Sequence, residues 1–295
     1  MSQIVNYIKL LRVNQWMKNF FIFAPVFFAF KFTDINAIIN LCFAFVGFSF
    51  TASAVYIIND RCDIEADRLH PKKKYRPLAS GAVSKKEAAV ILSLLLVAGI
   101  AIYVFVIADT DALLLLVAYF IMNIAYSLKL KQFAIIDVTI VAIGFVIRLF
   151  IGSFVSGVHL SYWIIILTFL LALLLVLGKR RNDITILEET GKQMRKSLNG
   201  YNAEFLNAII IVVVTAIIIG YILYTISPEV VARNGNYMYL TSLFVILGLF
   251  RYLQVLFVYK KGDSPTSLIL KDRFLQIDIA CWAVSFVGIY MIEKM

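Results

Sequence analysis

Residues 59–81 read N-D-R-C-D-I-E-A-D-R-L-H-P-K-K-K-Y-R-P-L-A-S-G, so that Asp60, Asp63, Glu65 and Asp67 precede Arg68, Lys72, Lys73, Lys74 and Arg76. If the apolar helix before them runs on to about Asp67, then Tyr56, Asn59, Asp60, Asp63 and Asp67 fall within about 100° of arc and Glu65 points away. Oxygen ligands on one helix face suit a hard cation such as Mg²⁺, which also keeps positions open for phosphate oxygens. The basic block just after could neutralise the rest of a polyphosphate. A charge run between apolar segments is ordinarily a solvated loop. Acids gathered on one face, ahead of a separate basic block, argue instead for a Mg²⁺-diphosphate site at a membrane surface.

The rest of the chain must hold that stretch at a bilayer. Of 295 residues 62% are apolar, 14% aromatic and only 16% charged, against roughly 25% charge in a soluble domain. The expected class is an all-α integral membrane protein, since apolar stretches of about 20 residues recur along nearly its whole length. The first of them, Phe20 to Phe32, follows a basic amphipathic start with Lys9, Arg12 and Lys18 and shows no small-residue cleavage site, so a retained helix is expected. Cys42, Cys62 and Cys281 are scattered and imply neither a disulfide framework nor a metal knuckle.

Nine membrane helices are expected, at about 17–32, 37–59, 87–108, 112–128, 134–155, 160–178, 204–226, 237–258 and 274–292. With those spans, 23 of the 28 Lys and Arg residues fall on one face. The positive-inside rule makes that face cytoplasmic, with the N-terminus inside and the C-terminus outside. A net charge of +10 distributed in this way marks membrane topology rather than nucleic-acid binding. Two long polar inner loops, about 59–86 and 179–203, lie four helices apart. They suggest one polytopic domain, residues 1–295, built as a pseudo-repeat of two four-helix units with a composite site between the halves. The second loop opens with Lys179, Arg180 and Arg181.

Charges within membrane helices are costly and usually functional. Arg148 stands about 14 residues into the fifth helix, roughly 20 Å from its cytoplasmic start. Asp137 opens that helix on nearly the same face, too far along the axis to pair directly. Arg148 is therefore read as a cation lining a polar cavity, whereas Arg251, nearer a helix end, can snorkel. His70 and His159 form no metal or triad arrangement.

Asn59-Asp60-x-x-Asp63-x-x-x-Asp67 resembles the N-D-x-x-D-x-x-x-D signature of the UbiA family of intramembrane prenyltransferases. The helix count and the second inner loop are similar as well. Four stretches look most like the branch of that family that transfers phosphoribose to polyprenyl phosphate. They are Arg12-Val13-Asn14-Gln15-Trp16-Met17-Lys18-Asn19, His70-Pro71-x-Lys73-x-x-Arg76-Pro77-Leu78-Ala79-Ser80-Gly81, Tyr126-Ser127-x-x-x-Lys131, and Asp137 through Gly144-Phe145-x-x-Arg148. Two departures stand out. Val13 replaces a frequent Pro, and Lys179-Arg180-Arg181-Asn182-Asp183 stands where prenyl-diphosphate users carry a second D-x-x-x-D.

The resemblance implies a UbiA-like helix bundle in a bacterial-type inner membrane, with phosphoribosyl diphosphate as donor, polyprenyl phosphate as acceptor and Mg²⁺, or alternatively Mn²⁺, as cofactor. Asn59 and Asp63 are expected to hold the metal with Asp60 and Asp67 as further ligands. Asp60, Asp67 and Arg76 are the expected catalytic residues. Lys18, Tyr56, Lys73, Tyr126, Lys129, Lys131, Arg148, Lys179, Arg180 and Arg181 are expected to bind substrate. One acidic and one basic cluster suit a metal-bound diphosphate plus a second phosphate. The alternatives are a UbiA-type transfer of a polyprenyl group from its diphosphate to an aromatic acceptor, which the missing second acidic pair disfavours, and a transporter, disfavoured by the scarcity of polar residues through the remaining helices. Large aromatic helix faces permit a homo-oligomer.

Overall fold

The computed structural model describes residues 3–31, 33–69, 73–191, 196–259 and 271–294. Phe32, His70, Pro71 and Lys72, and Lys192, Arg195, Lys260 and Lys261 of the charge count, lie outside the described residues. Eight described helices are long and apolar enough to cross a membrane. The chain divides into two compact units, Met1–Ser161 and Tyr162–Met295, each with four of these spans.

The first unit starts with an amphipathic helix α1 (Gln3–Leu11). The next segment departs from expectation. In place of a long α-helix at 17–32 stand a 3-10 helix over Val13–Phe23 and the short α2 (Ala24–Phe28). Pro25 explains the break at the junction, because it can donate no i→i−4 hydrogen bond and its ring crowds the preceding turn. Three-residue periodicity explains the rest: in a 3-10 helix side chains at i and i+3 eclipse, and Trp16, Asn19 and Ile22 follow that interval. Each meets a specific neighbour. Trp16 Nε1 donates to Ser53 Oγ at 3.0 Å and Asn19 Nδ2 to Ser49 Oγ at 2.8 Å. Ile22 packs its carbonyl against Gly152, where a Cβ would overlap it.

Helix α3 (Ile35–Cys62) is capped by Asp34, whose side chain accepts from the Ala37 N–H at 3.0 Å. Its buried residues include Ala44, Gly47, Ser49, Ala52 and Ser53, small side chains that let membrane helices approach closely. At Gly47 it crosses α5 (Lys85–Ala101), whose Gly99 lies against the Gly47 carbonyl. Tyr103, in the π-helical turn Ile102–Ile107 that extends α5, fills the adjoining space and donates to Ala44 O at 3.1 Å. A Ser84–Glu87 capping box starts α5, and Glu87 also accepts from Tyr7 of α1. Helices α6 (Thr110–Leu128) and α7 (Ile136–Ser156) complete the unit.

Past Cys62 only Asp63 interrupts the α3 direction before α4 (Ile64–Leu69). Hydrogen bonds Asp63 N–H→Asn59 O and Asp67 N–H→Asp63 O carry the i→i−4 register across the break, so the acidic stretch keeps the single face expected of it.

The second unit consists of α8 (Tyr162–Thr190), α9 (Ala203–Thr225), the short α10 (Pro228–Asn234), α11 (Ser242–Phe257) and α12 (Arg273–Lys294). Helix α8 runs on through the start of the expected 179–203 loop. Residues 179–189 contain no Gly or Pro, and the pairs Arg180–Asp183 (3.3 Å) and Arg181–Thr185 (2.6 Å) join successive turns. Gly191, at φ +66°, follows the helix end in the left-handed conformation that only glycine adopts freely.

Candidate functional site

In the first unit the acids separate into two sets. Asp60 and Asp67, one on α3 and one on α4, are each only 2% exposed. Arg76 bridges them, with Nη1 at 3.2 Å from Asp60 Oδ1 and 2.6 Å from Asp67 Oδ2. Arg12 Nη2 donates to the same Asp60 Oδ1, and its guanidinium lies over the Tyr56 ring at 5.0 Å. Burying a carboxylate is affordable only with such partners. Burial pushes the Arg12 guanidinium below its ordinary range, and the Asp60 carboxylate opposes the shift. Arg12 adopts φ +52°, unusual for a side chain of its size, at the turn between α1 and the 3-10 helix. A cavity of about 210 Å³ opens there, lined by Ile8, Lys9, Arg12, Val13, Asn14 and Gln15.

The second set faces solvent more openly. Asn59 Nδ2 donates to Asp63 Oδ2 at 3.2 Å, and Asn59 Oδ1 is left to accept from Lys131. Lys131 Nζ stands between the two residues, 2.6 Å from Asp63 Oδ1 and 3.3 Å from Asn59 Oδ1. Glu65 is exposed and pairs only with Arg68 among the described residues, at 3.1 Å.

Deeper in the unit lies Arg148, 5% exposed. Its Nε donates to Asn19 Oδ1 at 2.8 Å, Nη1 to Gly144 O at 2.6 Å and Nη2 to Tyr119 OH at 3.3 Å. The rings of Phe48, Tyr119 and Phe145 surround the guanidinium at 4.6, 5.1 and 5.4 Å, close enough for cation–π attraction. All of these acceptors are neutral. Lys18, half-buried on the 3-10 helix, makes no hydrogen bond or ion pair among the described residues and feels the like charges of Arg148 and Arg12.

The remaining expected site residues are distributed as follows. Lys73 is half-buried in a single 3-10 turn just before Arg76. Tyr126 is half-buried in the last turn of α6 and Lys129, its C-cap, is exposed; neither is hydrogen-bonded to the acids among the described residues. Lys179, Arg180 and Arg181 stand on α8 of the second unit, where Arg180 is buried against Asp183 and Arg181 Nε donates to Asn207 Oδ1 at 2.7 Å.

Sequence reasoning left Arg12, Asn19, Ser49 and Tyr119 without a role. The signal for Asn19 was the three-residue spacing with Trp16 and Ile22; Ser49 and Tyr119 sit on apolar helices with nothing local to mark them.

No group of three or more His, Cys, Asp or Glu side chains could hold a metal among the described residues. Asn59 Oδ1 and Asp63 Oδ1 do already share a cation, the Lys131 ammonium. Two such ligands fit Mg²⁺, which commonly takes one or two carboxylates and completes its shell with water and substrate phosphates.

Residues 20–276 match the UbiA prenyltransferase family. The chain is 31% identical over 288 residues to decaprenyl-phosphate phosphoribosyltransferase of Mycolicibacterium smegmatis, covering 93% of this chain and 89% of that protein. The protein of the same name from Corynebacterium glutamicum is 31% identical over 284 residues, covering 95% and 85%. In fold the chain is similar to a UbiA homolog from Archaeoglobus fulgidus solved with GPP and Mg²⁺, at TM-score 0.72 and 19% identity over 97% of this chain and 99% of that one.

Proposed function

This chain belongs to the UbiA prenyltransferase family and is a membrane transferase, and from that premise we propose that it moves the 5-phosphoribosyl group from phosphoribosyl diphosphate to a polyprenyl phosphate, releasing diphosphate. The observation that carries this reading is the similarity, over 93% of the chain, to a protein named for transfer of phosphoribose to decaprenyl phosphate.

Asn59 and Asp63 would hold Mg²⁺, or Mn²⁺ in its place. The metal would supply positive charge to the departing diphosphate. Arg76, aimed by Asp67 and Asp60, and Lys73 beside it take the charge that grows on the leaving oxygens as the C1–O bond breaks. The lipid phosphate is already an anion, so its oxygen attacks C1 without a general base. Tyr56 and Arg12 bound the site next to Asp60, and Tyr126, Lys129 and Lys131 approach from the α6 end. Arg148, whose hydrogen-bond acceptors are all neutral, and Lys18 near it bring two positive charges, which suits a second phosphate. In the other unit, Lys179, Arg180 and Arg181 favour a phosphorylated ligand. Catalysis is then positioning and electrostatics. The concentration of Lys and Arg on one face supports reading the site as lying at the cytoplasmic side of an inner membrane.

Prenyl transfer to an aromatic acceptor has the weaker support, a likeness of fold at 19% identity to a homolog bound to GPP. The test is diphosphate release by the purified chain from phosphoribosyl diphosphate and Mg²⁺. Release that requires polyprenyl phosphate supports the proposal. Release only from a prenyl diphosphate with an aromatic acceptor reverses the order of the two readings.

A further inference from the structure

Two kinds of cation serve the acids of the first unit, and they differ in how freely they can leave. Asp60 and Asp67 are held under Arg76, and Asp60 also by Arg12. A guanidinium bridging two buried carboxylates is costly to remove. Asp63 keeps 29% of its side chain exposed, against 3% for Asp60 and for Asp67. Lysine carries its charge on a flexible four-carbon stem with freely rotating donors, so its ammonium can exchange partners where Arg76 cannot.

The backbone fixes where that stem begins. Lys131 belongs to the single 3-10 turn Leu130–Gln132. Four residues on, the chain enters α7 through a tight turn at Ile135, with φ 68° and ψ −50° and the Ile136 N–H donating to Ala134 O at 2.8 Å. That is a γ-turn of the rare, strained kind, and a β-branched residue adopts it only where its surroundings require it. The turn places Lys131 just before α7, and the four-carbon side chain of Lys131 supplies the rotatable bonds.

We propose that Lys131 makes divalent-cation binding at Asn59 and Asp63 conditional on diphosphate. Its ammonium already lies on the two oxygens that a divalent cation needs, so cation and ammonium compete. A displaced ammonium beside a divalent cation meets a like charge unless an anion arrives with it. Diphosphate supplies that anion, accepting the ammonium while it completes the cation's shell. Metal and diphosphate therefore strengthen each other's binding, and by linkage equally in both directions. The inference rests on the Mg²⁺-diphosphate reading above and adds a device to it: the site discriminates against metal alone.

The experiment measures protein-bound Mn²⁺ by electron paramagnetic resonance on the full chain in detergent, with and without inorganic diphosphate. Wild-type protein should bind Mn²⁺ weakly alone and much more tightly with diphosphate. Lys131→Met should bind Mn²⁺ alone roughly tenfold tighter than wild type, within the usual range of coupling between sites, and gain less from diphosphate. Lys131→Arg should keep the wild-type pattern, and Lys131→Gln serves as the neutral variant if the methionine form fails to fold. A well-folded neutral variant that binds Mn²⁺ alone no tighter than wild type, with the diphosphate effect intact, overturns the inference and leaves the proposed function standing. No Mn²⁺ binding by any of the proteins, even with diphosphate, would sink the metal reading and this inference together.

Discussion

Arg148 Nε donates to Asn19 Oδ1 at 2.8 Å, joining the most deeply placed cation of the first unit to the 3-10 helix. The Asn19 amide spends its other end on Ser49 Oγ, so one side chain ties three elements together. Replacing it tests both bonds. Asn19→Ala strands a buried guanidinium N–H and a hydroxyl, at a cost of about 1–3 kcal/mol, and should lower the melting temperature. Asn19→Asp should melt above the alanine form and yet lose activity, because a carboxylate would claim the charge meant for phosphate. Full activity in Asn19→Asp would show that Arg148 needs no anionic substrate.

Arg148 itself separates a substrate contact from a brace. Lysine cannot serve Asn19, Gly144 and Tyr119 together, so Arg148→Lys should fold and turn over at least about tenfold more slowly, a loss of roughly 1.4 kcal/mol. Ligand binding raises thermal stability in proportion to its affinity, so phosphoribosyl diphosphate or the lipid phosphate should raise the wild-type melting temperature. That shift should vanish in Arg148→Met. A methionine variant that still shifts with ligand would make Arg148 structural.

Gly152 is a packing position. A methyl group there would run into the Ile22 carbonyl, and backbone cannot step aside as a flexible side chain can. Gly152→Ala should cost about 3 kcal/mol and yield little folded protein. Gly157→Ala, where a Cβ meets nothing but φ is +64°, should cost about 1 kcal/mol. Equal yields and melting temperatures for the two would mean that the 3-10 helix does not press on α7.

Asp63 and Glu65 are two residues apart and should behave oppositely. Asp63→Ala removes a ligand and should nearly abolish activity, with a small effect on folding because its side chain is 29% exposed. Glu65→Ala, paired only at the surface with Arg68 among the described residues, should cost under about 1 kcal/mol and leave turnover near wild type. Comparable losses from both would place the reacting groups on another face.

Much of this was legible in the chain itself. Hydropathy marked the eight long helices because a bilayer demands apolar length, and a 100° step aligned Asn59, Asp60, Asp63 and Asp67 before any coordinates. Hydropathy reports apolar extent and not helical extent, however. It therefore closed α8 near 178, although Lys179, Arg180, Arg181, Glu188 and Glu189 are good helix formers, and it made one helix of 17–32, where Pro25 and a three-residue contact pattern favour a 3-10 path. The division of the acids between Arg76 and Lys131 depends on residues 9 to 68 positions away, which no local pattern encodes.

The identity of the lipid product tests the central claim most directly. Purified protein would be incubated with phosphoribosyl diphosphate, polyprenyl phosphate and Mg²⁺, and the extracted lipid analysed by mass spectrometry. The account predicts a polyprenyl phosphate heavier by one phosphoribosyl unit, formed by the wild type, absent with a chelator and absent in Asp63→Ala. A lipid fraction of unchanged mass, beside a prenylated aromatic product from a parallel reaction with prenyl diphosphate, would contradict it.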